Sequence, residues 1–474
     1  MNSRMTLQQV ATWLRQAQLV GLDAGKPLVI ARVHTDTRTL QPGDLFVALR
    51  GERFDANAFL SEAKTKGAVA AICQGENAAA QLEQAGLPGL VVADARLALA
   101  QLATGYRAQF SLPLIAVTGS NGKTTVTQMI AAILRSAQGD AALATQGNLN
   151  NDIGVPLTVA RLTAAHKIAV VELGMNHPGE IATLASIAQP TVALVNNAQR
   201  EHLEFMQTVQ AVAEENGTVI TALPADGVAV FPADDAFSAV WAELAGARRV
   251  LRFAEKAQAD ADVYAVQADW HGAAWQVRAA TPVGELSYSL HIAGAHNVKN
   301  SLAAVACALA AGVAPDAITA GMSAFEPVKG RSRALQVTLA GRSITVVDDT
   351  YNANPDSVRA AIDVLAALPG PRLLVLGDMG EVGDQGPQFH AEALAQAQQK
   401  NIEKVLVTGV ESGLAAMKFD DIKVVPEMID LQAAVLAALP GVASVLVKGS
   451  RFMKMERVVE AIVAATLESR AATC

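Results

Sequence analysis

The chain has 474 residues, 51% of them hydrophobic and 17% charged, with 37 basic and 45 acidic side chains and a net charge of -8. That length points to about three domains rather than one core, and the composition excludes a disordered chain in favour of a packed α/β protein. The acidic balance leaves nothing at the whole-chain level to recruit nucleic acid or an anionic membrane, so anionic ligands need local positive sites.

The opening MNSRMTLQQVATWLRQ lacks the apolar core of a signal peptide, and no apolar run is long enough to span a bilayer. A cytoplasmic protein without membrane insertion is expected, and a monomer. Cys73, Cys307 and Cys474 show no metal spacing or pairing and read as reduced thiols.

In chain order, residues 1–109 carry the extended runs VIARVHTDTR and DLFVAL, a helical FLSEAKTKGA, and the apolar strands AVAAIC and GLVVA, a small N-terminal α/β domain. Residues 110–325 open with the buried-strand run LPLIAVTG, a glycine turn and the helical KTTVTQMIAAILRSA. The strands IAVVELG and PTVALVNN follow, so this is a central parallel-sheet domain of the P-loop, mononucleotide-binding kind. Alternation between Asp260 and His291 predicts antiparallel strands added to that sheet, and NSLAAVACALAAGV predicts a helix near its end. Residues 326–474 repeat strand and helix through SITVVDD, SVRAAIDVLAAL, PRLLVLGD, AEALAQAQ, KVLVTG, SVLVKGS and MERVVEAIVAATL. That is a Rossmann-like C-terminal domain, although no GxGxxG accompanies its first strand.

The sharpest motif is Thr118-Gly119-Ser120-Asn121-Gly122-Lys123-Thr124-Thr125, where a buried strand meets a helix. Backbone N–H groups in such a loop converge on phosphate, the lysine neutralises β and γ phosphates, and the Thr124 hydroxyl is placed for Mg²⁺. Val117 stands where the general P-loop pattern has glycine, so the loop is a variant. A magnesium nucleotide site needs further ligands at neighbouring strand ends. Glu172 closes IAVVELG directly after four apolar residues, a costly place for a charge unless a cation is near. His202 follows PTVALVNN, and its place after a strand end of the same sheet favours a ligand over an ordinary histidine.

TGSNGKTT, VELGMNHPGEI, NNAQREHLE, GAHNVKNSLAA, GRS, DDTYNANPDSV and LGDMGE, in that order and over nearly the whole chain, resemble the Mur ligases of peptidoglycan synthesis. Within the family, YNANP, LGDMGE and VKGSRFMKME resemble the members that join D-alanyl-D-alanine to UDP-N-acetylmuramoyl-tripeptide. The resemblance implies an N-terminal UDP-sugar domain, a central ATPase domain and a closing C-terminal domain, with ATP and Mg²⁺ as cofactors. It implies Gly119, Ser120, Asn121, Gly122, Lys123, Thr124 and Thr125 on the triphosphate, and Thr124, Glu172 and His202 on magnesium. Asn297 and Asn300 match asparagines near adenine. Arg331 and Asp349, with Tyr351 and Asn352, match residues reaching the nucleotide from the C-terminal domain, and Asp36-Thr37-Arg38 resembles the family's Asp-Ser-Arg by the uridine diphosphate.

One departure stands out. Several Mur ligases carry a carbamylated lysine that bridges a second magnesium, and the register from EHLEF puts Asn216 there. Either the second metal is held differently or Glu214 or Glu215 substitutes.

The reaction so implied activates a carboxylate as an acyl phosphate, with Lys123, Glu172 and His202 as the catalytic set. The amine must lose a proton, and no base is identified. In GNLNNDIGVP, Asn148, Asn150 and Asn151 either meet the peptide or form a turn. Asn354, a candidate substrate contact, also precedes Pro355 as a helix cap. His390 reads as an ordinary residue of a helix's first turns rather than a dipeptide ligand, and Lys448 as either a substrate partner or a strand-end residue. The rivals are a sister Mur ligase adding one amino acid, folylpolyglutamate synthase, whose pattern fits VELGMNHPGEI and DDTYNANP poorly, and a non-catalytic nucleotide-binding protein.

Overall fold

The computed structural model describes residues 5–22, 26–52, 54–271 and 274–471, and Cys474 lies outside them. The chain forms three sheets, of five, nine and six strands, flanked by helices. The first is mostly parallel, running from the antiparallel edge Gln18–Val20 through Gly89–Val92, Ala70–Gln74 and Asp44–Val47 to Arg32–His34.

In the nine-stranded sheet, Ala142–Ala144, Ile168–Glu172, Leu114–Thr118, Val192–Val195, Val228–Pro232, Arg249–Ala254 and Val263–Trp270 lie side by side and parallel. Their inner strands are apolar on both faces, as a sheet covered on both sides requires. Trp275–Thr281 and Gly284–Leu290 then turn the edge antiparallel. The alternation between Asp260 and His291 therefore marks two antiparallel strands, preceded by Val263–Trp270, whose pairing to its inner neighbour is parallel. The Ala-rich segment is the helix Ala295–Ala310, which begins earlier than NSLAAV suggests. Its small side chains, among them Ala303, Ala304 and Ala306, are fully buried.

The six-stranded sheet has Arg342–Asp349, Ser444–Lys448, Arg372–Leu376, Lys404–Val407 and Ile422–Val424 in parallel order. An antiparallel strand, Arg333–Leu339, precedes the first of these and had no separate sequence signal. Cys73 and Cys307 are buried free thiols, with pKa pushed upward by burial, to about 12 for Cys73. Among the described residues no helix is long and apolar enough to cross a membrane.

Candidate active site

The strand Leu114–Thr118 runs straight into the phosphate loop, and the helix Lys123–Gln138 leaves it. Two glycines make the turn possible. Gly119 has φ 127° and a Cβ there would lie 2.9 Å from the Asn196 amide nitrogen; Gly122 has φ 83° and a Cβ would lie 2.7 Å from the Asn300 carboxamide oxygen. Asparagines fasten the loop. The Asn216 Oδ1 accepts from Thr118 Oγ1 at 2.5 Å and from Gly119 N at 2.9 Å. Asn196 Nδ2 donates to Asn121 O at 2.8 Å and Asn300 Oδ1 at 2.9 Å, while Asn300 Nδ2 donates to Asn297 Oδ1 at 2.9 Å. Asn197 Oδ1 accepts from Asn121 N at 2.9 Å.

Beside this loop opens a cavity of about 810 Å³ between the central and C-terminal units. Its wall includes Ser120 to Thr125, Asn148, Asn150, Asn151, Glu172, His202, Asn297, Asn300, Arg331, Asp349, Tyr351, Asn352 and Asn354. The structure thus gathers nearly all the anticipated residues in one place. Gly119 lies behind them as loop backbone. Thr37 and Arg38 are the exceptions, for no residue of the first sheet lines this cavity. Arg38 instead grips Asp36 through both carboxylate oxygens, at 2.7 to 3.1 Å, and holds that carboxyl down to about 2.

Lys123 reaches back over the loop, donating to Gly119 O at 2.7 Å, Ser120 O at 3.0 Å and Glu201 Oε1 at 2.7 Å. Glu172 Oε1 accepts from Thr124 Oγ1 at 3.1 Å and Asn150 Nδ2 at 2.7 Å, whereas its Oε2 is buried with no partner. A buried carboxylate oxygen beside a threonine hydroxyl is a donor pair that fits a hard divalent cation. His202 sits differently. It has φ 49°, and its ring lies between Glu201, 3.4 Å from Nε2, and Glu381, 2.6 Å from Nδ1. Burial opposes its charge, but the two carboxylates overcome that and raise its pKa to about 9. Carboxylates stand at both ring nitrogens, so a metal here would first have to displace one of them.

Glu381 belongs to LGDMGE, so this contact crosses between units. Two more do. Arg200 holds Asp356 through Nη2 at 2.8 Å and Glu392 through Nη1 at 3.1 Å, and it stacks over Phe389. Asn354 Nδ2 donates to Asn121 Oδ1 at 2.9 Å, and its Oδ1 caps the helix Pro355–Ala366 through Ser357 N. From the same side Lys448 pairs with Asp349 at 2.6 Å and donates to Asn352 O at 2.8 Å, and Arg331 stacks 4.1 Å from the Tyr351 ring centre.

Asn151 Oδ1 accepts from Gly154 N as the turn reading requires, Asn150 orients Glu172, and Asn148 lines the cavity. His390 is fully buried, accepting from Met379 N through Nε2 and contacting Gly386 O through Nδ1, and does not line the cavity. Asn216, Glu214 and Glu215 also stay out of it. Glu215 accepts from Gly179 N and Ile181 N, Glu214 from Gln210, and Asn216 is spent on the loop. Both glutamate side chains are engaged by protein groups outside the cavity. Asn196, Arg200, Glu201 and Glu381 contact the loop, Lys123, His202 or the far wall and were not singled out from the sequence.

Against known proteins, residues 29–107 match the Mur ligase family catalytic domain, 117–308 the Mur ligase middle domain and 330–451 the Mur ligase glutamate ligase domain. The UDP-N-acetylmuramoyl-tripeptide--D-alanyl-D-alanine ligase of Escherichia coli K12 is 39% identical over 97% of this chain and 98% of its own. Two Acinetobacter baumannii structures are each 34% identical, covering 98% of this chain and 99% of theirs. One is described as MurF, with TM-score 0.87; the other is a UDP-N-acetylmuramoylalanyl-D-glutamyl-2,6-diaminopimelate--D-alanyl-D-alanyl ligase, with TM-score 0.83. A Thermotoga maritima MurF ligase in complex with ADP is 26% identical, with TM-score 0.80, over 93% of this chain and 98% of its own.

Proposed function

The chain belongs to the Mur ligase family, and from that footing we propose that it joins D-alanyl-D-alanine to UDP-N-acetylmuramoyl-tripeptide with conversion of ATP to ADP and phosphate. The reaction belongs to the making of cell-wall peptidoglycan precursors, in the cytoplasm. Residues 1–109, 110–325 and 326–474 are read as the UDP-sugar, ATPase and Rossmann-like domains. The observation that carries this reading is the cavity itself. It pairs a phosphate loop with an orphaned Glu172 oxygen on one wall and the YNANP residues on the other, in a chain similar along its whole length to ligases of that name.

ATP would lie with its triphosphate over Gly119 to Thr125, where the helix N-terminus and loop amides favour anions. Asn297 and Asn300 stand toward adenine, and Arg331, Asp349, Tyr351 and Asn352 close from the far wall. Binding must draw Lys123 away from Glu201, so the lysine exchanges one anionic partner for the γ-phosphate. A magnesium ion held by Thr124 and Glu172, with His202 once freed, would neutralise charge on the β and γ phosphates. The tripeptide carboxylate, guided by Asn148 and its neighbours, attacks the γ-phosphorus, and the bond to ADP breaks. The dipeptide amine then attacks the acyl carbon, and phosphate leaves with the carbon–oxygen bond. Thr37 and Arg38 are kept as contacts for the uridine diphosphate. Being outside the cavity, they suit a substrate whose nucleotide end is far from its reacting end.

Amide formation and phosphate release, measured with ATP, UDP-N-acetylmuramoyl-tripeptide and either D-alanyl-D-alanine or free amino acids, test this. Turnover is expected with the dipeptide only. Equal turnover with free amino acids would sink the assignment.

A further inference from the structure

Glu201 is delivered to the phosphate loop by a strap of chain. Beyond the strand Val192–Val195 the backbone lies along the loop, with Asn196 N donating to Thr118 O at 2.9 Å, Ser120 N to Asn197 O at 3.1 Å and Gln199 N to Ser120 Oγ at 2.9 Å. Asn121 Nδ2 donates to Gln199 Oε1 at 2.6 Å, and Arg200 N is held from the far wall by Asp356 Oδ2 at 2.9 Å. With its neighbours so fixed, the Glu201 carboxylate meets the Lys123 ammonium at 2.7 Å, the two side chains being 9% and 14% exposed. Both line the cavity.

The same ammonium is the group aimed at a nucleotide's terminal phosphate, so one lysine has two anionic claimants. An ion pair this sheltered is not a loose surface contact, because separating it strands a carboxylate away from water. Glu201 Oε2 is buried with no partner, and once Lys123 turns away the charge keeps only His202 Nε2, 3.4 Å from Oε1. The cost of separation does not fall equally on all nucleotides. Loop amides and the helix N-terminus meet a β-phosphate from the backbone alone, whereas a γ-phosphate lies beyond them and needs the lysine.

Resting on the ligase reading, we propose that Glu201 is a positioning residue that sets how the chain tells ATP from ADP: an internal anion that holds Lys123 until a γ-phosphate takes it, and reclaims it when phosphate leaves. ADP binds with the Lys123–Glu201 pair intact. ATP has to break it, so Glu201 weakens the binding of ATP and leaves that of ADP nearly alone. The return step matters equally. After the amide has formed, inorganic phosphate is still held by Lys123, and a carboxylate competing for the same ammonium shortens its stay. No bond to Glu201 forms or breaks in this cycle; the lysine exchanges one anion for another and back. Between turnovers the pair also keeps the ammonium folded over Gly119 O and Ser120 O, ready at the loop.

Calorimetric titration with ATP and with ADP, each in magnesium and in EDTA, tests this on the full chain, Glu201→Gln and Glu201→Asp. Glu201→Gln keeps the side-chain shape and removes the charge. It is expected to tighten ATP about tenfold and ADP by less than about twofold, in both media. Glu201→Asp draws the carboxylate back by one methylene and should move the same way by a smaller factor, which keeps the test open if the glutamine variant does not fold. In steady-state ligation by Glu201→Gln, KM for ATP and kcat should fall together, and added inorganic phosphate should inhibit at about tenfold lower concentration. Unchanged or weaker binding of ATP would make Glu201 a prop for the loop and overturn the exchange, as would equal tightening of ATP and ADP. Tightening seen only with magnesium would pass the effect to His202 and overturn it too. No amide product from the unaltered chain would instead sink the ligase reading, while the ratio of ATP to ADP affinity would still decide the exchange.

Discussion

The chain has two joints between its sheets, and they are made of opposite materials. The helix Ala95–Arg107 joins the first sheet to the second by burial. Leu99 and Leu102 belong to one apolar cluster that runs without a break from Met5 to Ala245. Even its polar groups are locked, with Tyr106 donating to Leu162 O, and buried Arg107 to Ala188 O and Gln189 O. The joint between the second and third sheets has no such core. The third unit keeps its own two apolar clusters, and among the described residues of the central unit only Leu203 packs at the edge of one. What crosses is polar: Arg200 to Asp356 and Glu392, His202 to Glu381, Asn121 to Asn354. Water can replace each of those contacts, whereas nothing in water replaces a shared core. The first joint therefore holds a shape and the second can open to admit a nucleotide.

The largest effect should come from the residue the polar joint closes over. Lys123→Ala is expected to lower kcat by about 10³-fold or more, because it removes the cation aimed at the transferring phosphoryl group. The fold should persist with a modest loss of thermal stability, since the side chain packs against no core but leaves the buried Glu201 without its lysine. Undiminished steady-state ligation in that variant would move the chemistry elsewhere. At the apolar joint the loss should appear as stability. Leu102→Ala, fully buried, is expected to cost about 2–5 kcal/mol in denaturant unfolding, with the first two units unfolding together in calorimetry. A separate early transition for residues 1–109 would break the comparison.

Between these lies Asn216. Its one carbonyl oxygen holds both the Thr118 hydroxyl and the Gly119 amide, so Asn216→Ala leaves two donors at the loop without an acceptor. The KM for ATP is expected to rise about tenfold, with a loss near 2 kcal/mol in stability. A variant binding ATP as before would show the loop to be held by its glycines alone.

That asparagine also marks the limit of what sequence makes legible. The phosphate loop could be read because a buried strand, two glycines and a helix lie within a dozen residues, and Glu172 because a charge ending an apolar run is anomalous in itself. The partners of those groups are distant in sequence. Asn196 meets Asn300, Asn216 meets Gly119, and His202 meets Glu381, and each separate segment looks like an ordinary polar loop or helix face. Arg200 and Glu201 stood inside a quoted motif and still carried no signal, because their roles depend on what the third unit brings to them. Asn297 and Asn300 line the cavity, and among the described residues Asn300 reaches the phosphate loop only through Asn196, a link between distant segments. The strand Arg333–Leu339 went unseen because an edge strand with exposed alternate residues differs little in composition from a linker. Nor could division by length reveal that the first two units share one core.

The gentlest test separates the joints by graded damage to the polar one. Arg200 touches Asp356 with both ends half sheltered, while its second partner, Glu392, is more exposed. Arg200→Ala should therefore lower kcat/KM for ATP about tenfold through a less populated closed state, and Glu392→Gln by about twofold at most, since exposed ion pairs contribute 0–1 kcal/mol. Neither should shift the unfolding midpoint as far as Leu102→Ala. Raising salt from about 0.1 to 0.5 M screens exposed charges, so it should weaken the unaltered chain's ATP response and leave Arg200→Ala almost insensitive. If both chains lose activity equally with salt, the sensitivity lies in the phosphate site, and closure depends on Asn121–Asn354 and His202–Glu381 rather than on Arg200.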